Sequence, residues 1–136
     1  VIMRYMLDTN ICIHLIQQQP PHVLQRFASL KYGDVVISSI TLAELRYGVE
    51  RDSQMRSAAE AALNHLLQFL PVLPFEQQAA IQYGVLRALV RDRKRDALDR
   101  LIAAHAISQQ LVLVTNNEAD FKDYPLLSIE NWITTH

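Results

Sequence analysis

Four acidic residues have the type and spacing to form one site: Asp8, Glu44, Asp99 and Asp120. Asp8 and Asp120 each follow an apolar run, Glu44 lies one short turn after another, and Asp99 begins a helical stretch. Carboxylate oxygens without histidine or thiolate suit Mg²⁺ or Mn²⁺. Mg²⁺ keeps several waters, so the chemistry that this set would support is hydrolysis of a phosphate ester.

Other site chemistries do not fit the sequence. The histidines His14, His22, His65, His105 and His136 show no paired spacing of the kind that zinc sites use, and His105 is interpreted as a packed or rim residue. The glycines Gly33, Gly48 and Gly84 form neither a dinucleotide-binding motif nor a P-loop. The single cysteine, Cys12, lies in an apolar run and is interpreted as a buried thiol.

Each acid also has a structural interpretation. Thr41 and Glu44 match a capping box, in which Glu44 would bond only to a backbone N–H. Asp8 and Asp99 could cap helices, and Asp120 could be a surface loop residue. The joint pattern favours a cation, because each pair of like charges at 4 Å costs about 4 kcal/mol at an effective dielectric constant of 20.

The elements that must position these acids alternate along the chain. Apolar runs predict strands near 5–7, 35–39, 72–73, 111–115 and 126–132, and helical spacing predicts helices near 11–19, 22–30, 41–49, 53–69, 76–91 and 99–110. Strands separated by such helices form a mainly parallel sheet with helices on both faces, an α/β fold. Ligands of such sheets bind beyond the carboxyl ends of the strands, where the four acids are expected.

Length and composition predict one domain over residues 1–136, with Val1 and Ile2 interpreted as a start-site remnant. The net charge of -1 lacks the basic footprint of many nucleic-acid-binding domains. A local patch exists at RDRKR, 91–95, with Arg87 one turn upstream, and it indicates either phosphate contacts or a solvated helix end. No apolar run approaches the roughly 20 residues of a membrane span and no signal peptide is evident, so a cytoplasmic protein is predicted.

Six segments together resemble the PIN-domain ribonucleases, and among them the VapC toxins of type II toxin-antitoxin pairs. They are MLDTNICI (6–13), ISSITLAELRYGVE (37–50), LRA (86–88), DRLIAAHA (99–106), LVTNNEADF (113–121) and IENW (129–132). The resemblance implies a single PIN domain with an acidic pocket for Mg²⁺ or Mn²⁺. By position it implies that Asp8, Glu44 and Asp99 are the core acids, Asp120 the fourth with Asn117 as second choice, and Asn10 and Thr115 the supporting residues.

The chain departs from this family before the third acid. Relatives commonly carry a glycine-containing loop there, whereas this chain has RDRKRDALD, 91–99, without glycine or proline. Asp96 is therefore a rival to Asp99, since residues three apart on a helix share a face. Asp99 is preferred because LIAAHA follows it in the register of the family.

The resemblance further implies an endoribonuclease toxin that cuts RNA, with the anticodon loop of initiator tRNA as the leading target, and a cognate VapB-type antitoxin. A homodimer is expected, with the 53–69 helix supplying its surface or the antitoxin groove, and operator DNA is expected to be reached only through the antitoxin. Basic candidates for phosphate contacts are Arg87, Arg91, Arg93, Lys94, Arg95 and Arg46. One alternative is a non-catalytic module that represses an operon through its antitoxin. Another is a receiver-type phosphotransfer protein, but this chain has neither the Asp after the third strand nor the Lys after the last strand that such a protein requires.

Overall fold

Short strands and helices alternate through the chain, as predicted. A computed structural model describes residues 3–90 and 97–133. In order, the elements are β1 (Tyr5–Leu7), α1 (Thr9–Gln17), α2 (Pro21–Ala28), β2 (Val35–Ser38), α3 (Ser39–Glu50), α4 (Arg56–Leu67), β3 (Val72–Leu73), α5 (Gln77–Leu89), α6 (Ala97–Ser108), β4 (Val112–Val114), α7 (Glu118–Phe121) and β5 (Ile129–Glu130).

The five strands form one sheet in the order β3-β2-β1-β4-β5, and every neighbouring pair is parallel. Tyr5 of β1 lies opposite Val35 and Val112, and Leu7 lies opposite Val114. β1 and β2 are buried on both faces, which is why they read as unbroken apolar runs. The predicted α/β class with a parallel central sheet is confirmed, and all carboxyl ends of the strands lie at one edge.

Alternate strand residues face two hydrophobic clusters, one on each side of the sheet. Leu7 and Ile37 pack with residues of α1, α2, α3 and α4. Met6 and Val36 pack on the other face with residues of α5, α6 and α7. Across the segments that the structure covers, the helices are too short or too polar to cross a membrane.

Several boundaries differ from the predicted ones for local reasons. α3 begins at Ser39 and not at Thr41, because Ser38 caps it: its Oγ accepts the Ile40 N–H at 3.0 Å. The segment predicted as a polar loop after β4 contains the short helix α7, whose Phe121 is 1% exposed and anchors it to the core. Phe121 is the one buried residue of this helix, and a single core residue gives no helical periodicity in the sequence.

Candidate active site

Asp8 stands at the carboxyl end of β1, where it also caps α1. Its carboxylate accepts the N–H of Ile11 at 2.9 Å and the hydroxyl of Thr115. Its own N–H donates to the carbonyl of Val114 on the neighbouring strand at 3.0 Å. The capping interpretation of Asp8 is thus confirmed, and the side chain is held at the sheet edge with only 4% of the residue exposed.

The surroundings of Asp8 oppose its negative charge. Burial is the main cause that raises the pKa of this carboxyl above its ordinary value, and the charge of Glu44 raises it further. The hydrogen bonds from Thr115 and Ile11 and the charge of His14 act in the opposite direction but do not cancel the effect of burial. Holding the carboxylate ionised here costs free energy that a nearby cation would offset.

Glu44 belongs to this edge and not to a capping box. Its Oε1 accepts the hydroxyl of Thr9, the residue after Asp8, at 2.5 Å. The cap of α3 is Ser38, and Thr41 is a fully buried residue within the helix. The capping-box interpretation of Glu44 is therefore wrong, because α3 starts two residues earlier than predicted and turns Glu44 toward Thr9.

The two alternatives for the fourth acidic position are bonded to each other. Thr115, fully buried after β4, accepts the backbone N–H of Asn117 at 3.0 Å. The amide of Asn117 donates to the carboxylate of Asp120 in α7. A chain of hydrogen bonds thus runs from Asp8 through Thr115 and Asn117 to Asp120. It places Thr115 and Asn117 between the two carboxylates and Asp120 at the same edge, while the roles predicted for these residues stay predictions.

For Asp99 and Asn10 the structure gives the position in a helix and the exposure. Asp99 is partly exposed in the first turn of α6, a helix that packs against α3, and α6 leads back to the start of β4. Its first turn therefore lies toward the end of the molecule where the strands finish. Asn10 is exposed in the first turn of α1. Asp96 lies outside the described residues, so the choice between Asp96 and Asp99 stays a prediction.

The donor set at this edge suits a hard cation, although it is not a complete cage. Asp8 and Glu44 offer only oxygen atoms, and Asp8 is destabilised as an anion by burial. Within residues 3–90 and 97–133, no three His, Cys, Asp or Glu side chains are grouped closely enough to hold a metal ion. A complete site needs a further carboxylate to approach Asp8 and Glu44, and Asp99 and Asp120 are the candidates.

The basic candidates have different surroundings. Arg46 is bound to Glu60 at 2.9 Å and Glu50 at 3.1 Å, in a network that also includes Arg56. Arg87 is exposed on α5 near the Tyr83 hydroxyl, at 3.5 Å. Arg91, Arg93, Lys94 and Arg95 lie outside the described residues. Phosphate binding stays a prediction for all six, and the two carboxylates around Arg46 disfavour it there.

Sequence reasoning missed the role of Thr9. The only signal was its position between Asp8 and the apolar face of α1, where a hydroxyl can reach a neighbouring helix. A cavity of about 240 Å³ opens beside the Thr9–Glu44 pair. Its walls come from α1, α3 and α4 and include Ile13, Ile16 and Leu63. An apolar groove therefore leads directly to the acidic edge.

Comparison with known proteins identifies the family of the chain. The PIN domain model matches residues 5–127. The tRNA(fMet)-specific endonuclease VapC of Shigella flexneri is 39% identical over 133 residues, covering 96% of this chain and 99% of its own length. The protein of the same name from Salmonella typhimurium is 40% identical over the same shares of the two chains.

Solved structures show the same likeness. The VapBC2 complex of Rickettsia felis, bound to a DNA fragment from its promoter, contains a chain that superposes with a TM-score of 0.85 at 36% identity, covering 96% of this chain and 99% of that one. DNA-bound VapBC of Salmonella typhimurium gives 0.86 at 40% identity, over 96% and 98%. The chain belongs to the PIN-domain family and, within it, to the VapC proteins.

Proposed function

We propose that this chain is the ribonuclease toxin of a toxin-antitoxin pair and that it hydrolyses RNA phosphodiester bonds with Mg²⁺ or Mn²⁺. The observation that carries the proposal is the buried, hydrogen-bonded Asp8 carboxylate beside Glu44 at the carboxyl edge of a parallel sheet. The names of the similar VapC proteins, ribonuclease and endonuclease, support the reaction class. Asp99 and Asp120 complete the proposed ligand set.

The chain's own side chains prepare this edge for catalysis. Thr115 and the Ile11 N–H orient Asp8 and favour its ionised form, while Thr9 orients Glu44. When bound, Mg²⁺ or Mn²⁺ supplies positive charge at the scissile phosphate and acidity that activates a water molecule. Asn117 holds Asp120 toward the same place. Attack by water with loss of the 3′ oxygen leaves 5′ phosphate and 3′ hydroxyl ends.

The RNA strand is held by phosphate contacts outside the acidic edge. Repulsion between the acids and the RNA backbone requires positive charge nearby. Arg87 is exposed on α5, the helix that leads into the basic segment 91–95. This group of cations places the strand without reading its bases.

The first substrate to test is initiator tRNA. The Shigella flexneri and Salmonella typhimurium relatives are named tRNA(fMet)-specific endonucleases and match nearly the whole chain. Their names, together with that coverage, make initiator tRNA our proposed target, and the family resemblance adds the anticodon loop as the proposed place of the cut.

The partner that we propose is a VapB-type antitoxin. Three of the similar structures are VapBC complexes, and two of these three are bound to DNA. In this chain the apolar groove lined by Ile13, Ile16 and Leu63 ends at Glu44, so a bound segment could lay apolar side chains along it and a basic one against the acids. α4 contributes Leu63, in line with the expectation that the 53–69 region forms part of the groove. Operator DNA would be contacted through the antitoxin.

A homodimer is also proposed, on a different helix from the one first expected. α5 leaves Ile81, Val85 and Leu89 between 43% and 62% exposed at four-residue spacing. Such a stripe on one helix face suits a second apolar surface.

The decisive experiment is incubation of the purified protein with bulk cellular RNA, with Mn²⁺ or with chelator, followed by mapping of the new ends. We expect one discrete, metal-dependent cut in a tRNA with 5′ phosphate and 3′ hydroxyl products, and no cut by the Asp8→Asn variant. Absence of any cut by the wild-type protein, together with normal antitoxin binding, would favour the non-catalytic module.

A further inference from the structure

The imidazole of His105 joins α6 to the start of α3. His105 is 1% exposed, and its Nδ1 lies 2.7 Å from the Oγ of Ser38 at the end of β2. Its ring also meets the ring of Phe75 nearly at right angles, with centroids 5.5 Å apart. This hydrogen bond indicates more than space-filling in the core, because Ser38 both ends β2 and caps α3.

Ser38 and Ser39 fix the first turn of α3 from two directions. The Oγ of Ser38 accepts the N–H of Ile40 and thereby caps the helix, while the same oxygen is bonded to His105. The Oγ of Ser39 accepts the N–H of Phe75 at 3.0 Å. His105 and Phe75 therefore act together on the end of α3 that points to the carboxyl edge of the sheet.

The surroundings of the ring favour a neutral imidazole. Burial lowers the pKa of His105, and the charge of Glu76 only partly opposes this effect. The Nε2 atom is buried, and no hydrogen-bond partner is found for it in the part of the chain that the structure describes. A second proton on the ring would bury a positive charge that the charge of Glu76 compensates only in part. We therefore interpret the ring as neutral, with one hydrogen bond between its Nδ1 and Ser38.

Glu44 lies on α3 six residues after Ser38, within one rigid helix. We propose that His105 is a positioning residue which, through Ser38, sets the N-terminus of α3 and so the place of Glu44 at the acidic edge. His105 does not touch the reacting groups. The inference rests on the proposed function only for its effect on metal binding, because the link from His105 to α3 is a property of the protein itself.

Three variants separate positioning from packing. His105→Leu keeps an apolar side chain in the core but removes the bond to Ser38, whereas His105→Asn offers an amide that can replace Nδ1. Leu111→Ala is the matched control, since Leu111 is buried in the cluster that packs on the same sheet face as α6. The Leu111 substitution should lower stability without altering the start of α3.

Two measurements on the full chain test the inference. The first is amide hydrogen exchange in the first turn of α3, which should become faster in His105→Leu at Ile40 and remain slow in Leu111→Ala. The second is Mn²⁺ binding followed by electron paramagnetic resonance, where His105→Leu should bind roughly tenfold more weakly, as for other residues that orient metal ligands. His105→Asn should recover most of both properties.

Unchanged exchange at Ile40 in His105→Leu would overturn the inference, as would an equal effect of Leu111→Ala on exchange and Mn²⁺ binding. Failure of the proposed function has a different signature. In that case the wild-type protein neither binds Mn²⁺ nor cuts RNA, while the exchange data still show whether His105 holds α3.

Discussion

Replacing Asp8 by Asn and by Ala separates its structural bonds from its charge. The cap on Ile11 is worth about 1 kcal/mol, and the bond with Thr115 about as much. Asp8→Ala loses both and should be about 2 kcal/mol less stable than an uncharged variant that keeps both. Asp8→Asn can keep both, because asparagine caps as well as aspartate and the Thr115 hydroxyl can accept as well as donate.

Asp8→Asn also removes the charge that burial and Glu44 oppose. We therefore expect this variant to be at least as stable as the wild type in chelator at pH 7, although it should not cut RNA. For a chain of 136 residues with an unfolding entropy of about 2.1 cal/mol/K per residue, 2 kcal/mol corresponds to about 7 °C between the melting temperatures of the two variants. Because the pKa of Asp8 is raised in the folded protein, its carboxylate becomes protonated at a higher pH there than in the unfolded chain. The difference in stability between Asp8→Asn and the wild-type protein should therefore shrink as the pH falls.

The assay is thermal unfolding by circular dichroism, with chelator and with Mn²⁺. Mn²⁺ at a hundred times its dissociation constant should stabilise the wild-type protein by about 2.7 kcal/mol and leave Asp8→Asn unchanged. If Asp8→Asn melted below the wild-type protein in chelator, the supposed cost of the buried charge would be refuted. If it melted as low as Asp8→Ala, asparagine would not keep the two hydrogen bonds. Equal stabilisation of wild type and Asp8→Asn by Mn²⁺ would remove Asp8 from the ligand set.

Three further predictions concern other residues. Thr9→Val removes the 2.5 Å bond to Glu44 and should raise the Mn²⁺ concentration for half-maximal cleavage several-fold, whereas loss of cleavage at every Mn²⁺ concentration would contradict a purely orienting role. Because the pKa of His105 is lowered in the folded protein, the unfolded chain takes up the proton at higher pH. Urea titrations should therefore show the free energy of unfolding falling as the pH drops below the ordinary value of 6.5, and His105→Asn should make this fall less steep. An unchanged pH dependence in His105→Asn would count against a neutral buried ring. Arg87→Ala should weaken RNA binding and reduce its salt dependence by about one phosphate contact, while Arg46→Ala, already paired with two glutamates, should change neither, as filter binding at several salt concentrations can check.

The fold could be predicted because its strands are buried on both faces and separated by helices. Val35–Ser38 and Val112–Val114 are apolar runs for that reason, and parallel connection follows from the helices between them. Grouping the acids by sheet edge placed Asp8, Glu44 and Asp120 in the right region. It could not assign their partners, because hydrogen bonds between remote segments depend on which way each helix is turned.

The role of Glu44 shows this limit. The T-x-x-E spacing is typical of a cap, but the buried Ser38 caps the helix first and leaves Glu44 to bond with Thr9, 35 residues away in sequence. The helix α7 was missed because its one core residue, Phe121, gives no periodic pattern in four residues. The link from Ser38 to His105 leaves no trace in the spacing of either residue.

Asn117 donates two hydrogen bonds: its backbone N–H goes to the hydroxyl of Thr115, and its side-chain amide goes to the carboxylate of Asp120. A carboxylate at 117 has no proton to give to Asp120 and would face it as a second anion. Acids at both positions would therefore repel one another unless a cation lay between them. An aspartate at position 117 should thus make the placement of Asp120 depend on a bound metal ion, whereas Asn117 holds it without one.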